Sequence, residues 1–200
     1  MNLRTLFAVP ALCLAASLVP DAAALLRFDP PWVSSEDRAC ARAVYFSRTG
    51  VGGSYAIDYG RPEWKAEYDS TFDDLTLGKR VRLGQNHWTN LDATCPMRFG
   101  DGKEKEVKPG HYYLALERDK RGDWSLVLMD SDDLRKKRVD AFQTSTTSGG
   151  IEVPLHHEES QEVARTLTIS MDPVDDDEFA QVLTIRFGPH VLSTRVKGKV

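Results

Sequence analysis

Two blocks of this 200-residue chain concentrate side chains that could bind or react. The first is Tyr59, Gly60, Arg61 and Pro62. The second runs from Gly78 to Thr89 and contains Arg82, Gly84, Gln85, Asn86, His87 and Trp88. A guanidinium presents a planar fork of donors suited to carboxylate or phosphate. An asparagine amide can donate and accept at once. Tyr59, Arg61, Arg82, Asn86 and His87 therefore form the candidate ligand-binding set, a polar pocket for a small anionic or sugar-like molecule. The same residues also suit a structural role, with the arginines bonding loop carbonyls and the glycines making tight turns. No glycine-rich phosphate cradle follows a strand, since neither GxxxxGK[ST] nor GxGxxG occurs.

Other clusters carry weaker chemistry. His156, His157, Glu158 and Glu159 are competent metal ligands by type. Adjacent histidines on a strand point to opposite faces, however, so an exposed polar connector is the plainer reading. Asp172, Asp175, Asp176, Asp177 and Glu178 offer hard oxygens but lack the glycine and spacing of a calcium loop, and read as a solvated turn. No GxSxG elbow is present, and no serine, histidine and acid spacing suggests a triad. No catalytic residue, resident metal or cofactor is expected. Trp32, Trp64, Trp88 and Trp124 suit packing better than carbohydrate stacking.

The two blocks resemble the signature of a bacterial secreted family, domain of unknown function 2911. There the first block typically reads Tyr-Ser-Arg-Pro, and the second Gly-Lys-Val-Trp-Arg-Thr-Gly-Ala-Asn-Glu-Ala-Thr. Ala41, Arg42 and Ala43 resemble the family's Pro-Arg-Ala opening. Pro109, Gly110, Tyr112 and Leu114, then Trp124, resemble its later hairpin, and Leu167 to Asp172 with the last strands resemble its ending. Val81, Gln85 and His87 depart from the pattern, as do Ala66 and Glu67. The resemblance implies an exported domain and carries no established activity.

The start of the chain agrees with export. Arg4 precedes an apolar run, and Ala22, Ala23 and Ala24 fit a small-x-small cleavage site, so residues 1–24 read as a signal peptide. Pro10 interrupts that run, which is short for a bilayer span. A secreted or periplasmic location follows, with no transmembrane segment after cleavage. Of three cysteines, Cys40 and Cys95 remain in the mature chain. An even count in an oxidising compartment predicts a Cys40–Cys95 disulfide. Its loop of roughly fifty-five residues would contribute about 4 kcal/mol in the chain-entropy picture. The composition is 41% hydrophobic and 28% charged, with net charge −4, which argues against a sequence-independent grip on nucleic acid. Arg135, Lys136, Lys137 and Arg138 are the one basic run and read as a solvated helix end or loop.

Residues 25–42 read as a lead-in opened by Pro30 and Pro31, and residues 43–200 as one domain. Within it the dominant period is two. Tyr55, Ile57 and Tyr59 alternate with Ala56 and Asp58; Leu167 and Ile169 alternate with Thr166, Thr168 and Ser170; Leu183, Ile185 and Phe187 alternate with Thr184 and Arg186. This pattern predicts half-buried antiparallel strands. Residues 117–123 read as a hairpin loop, Gly188 and Pro189 as a turn between the last two strands, and residues 144–150 as a flexible loop. Trp64, Tyr68, Phe72 and Leu75 are spaced for one face of a short helix. The expected fold is an all-β antiparallel sandwich, jelly-roll-like, with one or two short helices. The expected function is a non-catalytic ligand-binding or envelope-associated module. The alternatives are an assembly partner using a sheet edge, and an enzyme on a small anionic or sugar-like substrate.

Overall fold

Alternation of inward and outward side chains sets the architecture. The computed structural model describes residues 37–47, 50–100, 102 and 104–199. The expected signal peptide and the lead-in as far as residue 36 lie outside the described residues. Strand β1 (Arg38–Ser47) pairs with β2 (Gly50–Gly60), and β2 pairs with β4 (Thr89–Ala93). Strand β7 (Gly110–Arg118) takes β4 along its first half and β3 (Lys79–Arg82) along its second. Its other edge carries β8 (Trp124–Asp130), which pairs with the start of β9 (Ile151–Val174). All these pairings are antiparallel, as the period of two predicts.

Strand β9 then leaves that layer and joins a second one. From His156 onward it pairs with β10 (Asp177–Gly198), and the end of β10 pairs with β5 (Met97–Phe99), which pairs with β6 (Lys105–Val107). A strand that switches sheets makes the corner of a sandwich. The result is an all-β, sandwich-like fold whose strand path ends at β1 and β6 and does not close into a barrel. Tyr55, Ile57, Leu83, Leu91, Leu114 and Leu126 of the first layer pack against Leu167, Ile169, Leu183, Ile185 and Val196 of the second.

The first layer is apolar on its outer face too. Trp88, Tyr113, Ala115, Val127 and Met129 are buried there beneath helix α2 (Ser131–Lys136) and a 3-10 helix (Ala141–Thr146). Burial on both faces explains the unbroken run Leu126, Val127, Leu128 and Met129, where a half-buried strand would alternate. Helix α2 is capped by Asp130, whose carboxylate accepts from the N–H groups of Asp132 and Asp133. The basic run lies at and just beyond its C-terminal end, as expected of a solvated helix end.

Several expectations need correction. Cys40 and Cys95 are not paired. On β1 the side chains of Ala41 and Tyr45 are buried while Cys40, Arg42 and Val44 are exposed, so Cys40 stands on the outer face, whereas Cys95 is buried in the core. β1 itself begins at Arg38, inside the expected lead-in, because Ala39, Ala41 and Ala43 supply an inward face too small to register as apolar alternation. Gly188 and Pro189 do not separate two strands. They lie within β10, at register shifts that bend it. Residues 144–150 are partly ordered by the 3-10 helix, which a capping box from Asp140 and Gln143 starts. His156 to Glu159 belong to β9, not to a connector.

Candidate functional site

The five residues of the candidate ligand set do not share one pocket. Tyr59 is buried, its hydroxyl donating to Ile169 O at 3.2 Å and accepting from Ile169 N–H at 2.9 Å, so it clasps the two layers together. Arg61 reaches toward the second layer, donating to Thr166 Oγ1 at 3.0 Å and pairing with Asp37 at 3.1 Å. Arg82 points to the outer face, its guanidinium 4.6 Å from the centre of the Phe142 ring, with one long contact to Asn86 O at 3.5 Å. Asn86 takes a left-handed backbone with φ 58°, and both it and His87 are exposed in the β3–β4 turn.

What the two blocks do share is a close backbone approach. A Cβ at Gly60 would stand 2.8 Å from Gln85 O, and one at Gly84 would stand 2.8 Å from Thr89 Oγ1. The glycines let the end of β2 lie against the β3–β4 turn, and Thr89 locks that turn by donating to Leu83 O at 2.6 Å. Among the described residues, Arg80 is the buried arginine. It holds Glu117 with bonds of 2.8 and 2.7 Å and donates to Gly149 O at 2.9 Å.

The structure also forms a cavity between the layers. An apolar cavity of about 270 Å³ opens beneath helix α1 (Tyr68–Thr76). Val81, Leu83, Leu116 and Trp124 form its wall from the first layer, and Leu167, Ile185, Phe187 and His190 form it from the second. Phe72 of α1 closes it, stacking on the His190 ring with centroids 4.1 Å apart and planes inclined by 15°. The helix is tethered by an Arg118–Asp73 ion pair and by Arg118 donating to Thr76 Oγ1 at 3.2 Å. Arg118 also lies over the Trp124 ring, 5.3 Å from its centre. Trp64, just before α1, packs edge-on against Phe187 and Tyr68 and donates from its indole to Asp69 at 2.8 Å. The predicted helix is therefore present, though Leu75 is 48% exposed and Trp64 precedes the first turn.

His190 lines this cavity and meets His157 beside it. They stand diagonally across the β9–β10 pair, with His157 opposite Leu192 and His190 opposite Glu159. His157 Nε2 and His190 Nδ1 are 3.2 Å apart, a hydrogen bond in which one ring donates and the other accepts. Burial pushes both imidazoles below the usual histidine pKa; Arg118 adds to this at His157, and His157 does so at His190. Glu159 and Asp73 oppose that shift at each ring without reversing it. His156 is exposed on the other face, as strand alternation requires.

No family model, curated protein or solved structure matches this chain. Among the described residues no helix is long and apolar enough to cross a membrane, and no group of three or more histidine, cysteine or acid side chains is placed to hold a metal ion.

Reading the sequence alone misses His190 and assigns His157 to a polar connector. One signal was available. His157 keeps the inward parity of Val153 and Leu155, and His190 that of Leu192 and Val196, so strand alternation carried through the polar stretch places both rings inside.

Proposed function

We propose that this chain is an exported, non-catalytic binding module that takes a small, mainly apolar ligand into the cavity beneath α1. The observation that carries the reading is the cavity itself: concave, apolar, bounded by both layers and covered by one short helix. Ligand sites are concave and lined mostly by apolar and aromatic side chains with a few polar groups, and here the polar lining residues include Thr76, Arg82, Gln85 and His190. The leader-like start and the blocks resembling the secreted family support export and membership of that family. The alternative of an anionic or sugar-like substrate is less well supported, because Arg61 and Arg82 diverge to opposite sides of the first layer.

The test is a thermal-shift screen of small apolar compounds on the mature protein, because a ligand bound only to the folded state raises its melting temperature. Val81→Phe fills the cavity from its wall. A ligand that stabilises the wild type should lose its effect on this variant, provided the variant folds. Equal stabilisation of both proteins would place binding elsewhere.

A second reading has an observation of its own. β1 is an edge strand whose outer face shows Val44 at 40% and Phe46 at 75% exposure. Such an edge can pair with another strand. Sedimentation equilibrium compared with Phe46→Lys decides whether it self-associates.

A further inference from the structure

Helix α1 rests on a pair of hydrogen-bonded histidines. Phe72 stacks on the His190 ring at 4.1 Å, and His190 Nδ1 is joined to His157 Nε2 at 3.2 Å. One ring donates and the other accepts, so a single proton lies between them. The surroundings are aromatic: Trp64 lies 5.7 Å from the His190 ring and Trp124 6.2 Å from the His157 ring, centre to centre. Added protons change this pair in two steps. The first goes to the free nitrogen of the donor ring and leaves the hydrogen bond in place. The second must go to the accepting nitrogen. Two N–H groups and two positive charges then face each other across 3.2 Å.

The charged groups facing the pair do not remove that repulsion. Arg118 of β7 adds a further cation near both rings, and His156, on the other face of β9, adds to it at His157. Glu159 of β9 and Asp73 of α1 favour the charged rings, but both are exposed, and water screens them. Tyr68 and Asp69 of α1 border the same groove, and Asp69 is engaged by the Trp64 indole. Burial weighs most at each ring, so the balance favours the neutral pair. Arg118 holds the Asp73 carboxyl below the usual carboxylate range. The Arg118–Asp73 tie therefore keeps its charges where histidines titrate, and a loss of α1 contacts there belongs to the histidines.

A second charge on the pair needs water, and α1 is the cover that can leave without breaking a strand pairing. Arg118 and Trp124 sit in the paired strands β7 and β8. Helix α1 is held by side chains, Phe72 on His190 and Asp73 and Thr76 on Arg118, and the Asp73 tie is exposed and weak. A conformation that hydrates the rings binds protons more readily than the closed one, so acid populates it. We propose that His157 and His190 form an acid-sensitive catch on α1: when both rings are protonated their hydrogen bond is lost, His190 leaves the Phe72 ring, and α1 lifts from the cavity. The catch acts on an empty cavity as well, so it stands apart from the reading of the cavity as a ligand site.

The experiment is backbone hydrogen exchange on the full mature protein from about pH 8 to about pH 5, with rates corrected for the intrinsic effect of pH. Protection of α1 is compared with that of β8, because local opening exposes the first without the second. The expected result is that α1 exchanges well before β8 at every pH. Its protection should fall about tenfold for each pH unit below about 6.5 through which the open form carries one proton more than the closed. The double variant His157→Gln/His190→Gln, which cannot take up these protons, should show a flat α1 profile.

Protection of α1 that does not change with pH in the wild type would overturn the catch. So would α1 and β8 exchanging together, since the opening would then be global, and so would an unaltered acid loss in the double variant. Should that variant not fold, the ring-proton resonances of His157 and His190 are followed in the wild type by NMR over the same range. Their titration should share its midpoint with the loss of α1 protection. Opening of α1 while both rings remain neutral would overturn the proposal equally.

Discussion

At the scale of single residues, two arginines on the same face of β3 have opposite standing. Arg80 is the buried one, and its removal strands Glu117 and the carbonyl of Gly149. Arg80→Ala should cost about 2–3 kcal/mol in urea unfolding, the loss of one partner from a largely buried, hydrogen-bonded pair. Arg82 has one long contact and a ring beneath it, so Arg82→Lys should cost less than about 1 kcal/mol. A loss at Arg82 equal to that at Arg80 would show that its contact with Phe142 matters far more than geometry suggests. The histidine pair gives a pH signature with a definite sign. Because burial lowers both folded pKa values, the unfolded chain binds more protons below the unfolded value of about 6.5. The stabilisation is full above that pH and is lost progressively as pH falls toward the folded values. Unfolding free energy measured from pH 8 to pH 5 should decline below about 6.5, and His190→Gln should flatten the decline. An identical profile in the variant would remove the pair as its source.

At the scale of elements, parity and glycine decide what fits. Gly188 has φ 61°, and the Trp64 ring lies where its Cβ would be, so β10 bends around the indole only because no side chain is there. Gly188→Ala should destabilise the fold by about 2 kcal/mol or more, through backbone strain together with overpacking. A chemical denaturation curve unchanged by the substitution would refute this. Burial predicts thiol behaviour: Cys40 points outward from β1, whereas Cys95, after β4, is buried in the core and held protonated because burial raises its pKa. Under native conditions a thiol reagent should label Cys40 quickly and Cys95 only after unfolding, as peptide mapping will show. These elements were largely readable from composition and period. The strands from Tyr55, Leu167 and Leu183 stand out because large apolar residues alternate with polar ones. β1 does not, because three of its inward positions are alanine. The bend in β10 looked like a turn because Gly188 and Pro189 punctuate a chain equally well at a hairpin or at a bulge.

At the scale of the whole molecule, the all-β sandwich was readable and the cavity between its layers was not. The fold class follows from local periodicity, whereas the cavity follows from which strands end up facing one another across the layers. Nothing local to Val81, Trp124 or His190 records that they share a wall. The conspicuous cations and amides near Arg82 drew attention instead, and those side chains point outward. The strand path has one further consequence. Val196, Lys197 and Gly198 of β10 supply the partner for β5, and Gly198 N–H donates to the Tyr45 hydroxyl at 2.9 Å, inside a cluster where Tyr45 and Tyr55 both donate to buried Gln181. A chain delivered N-terminus first therefore exposes β1, β2 and β5 long before the strand that completes their surroundings arrives. Closure waits for β10 and depends on contacts between residues far apart in sequence, the kind that form slowly. Until its last strand arrives, the chain has little to hold its two layers together.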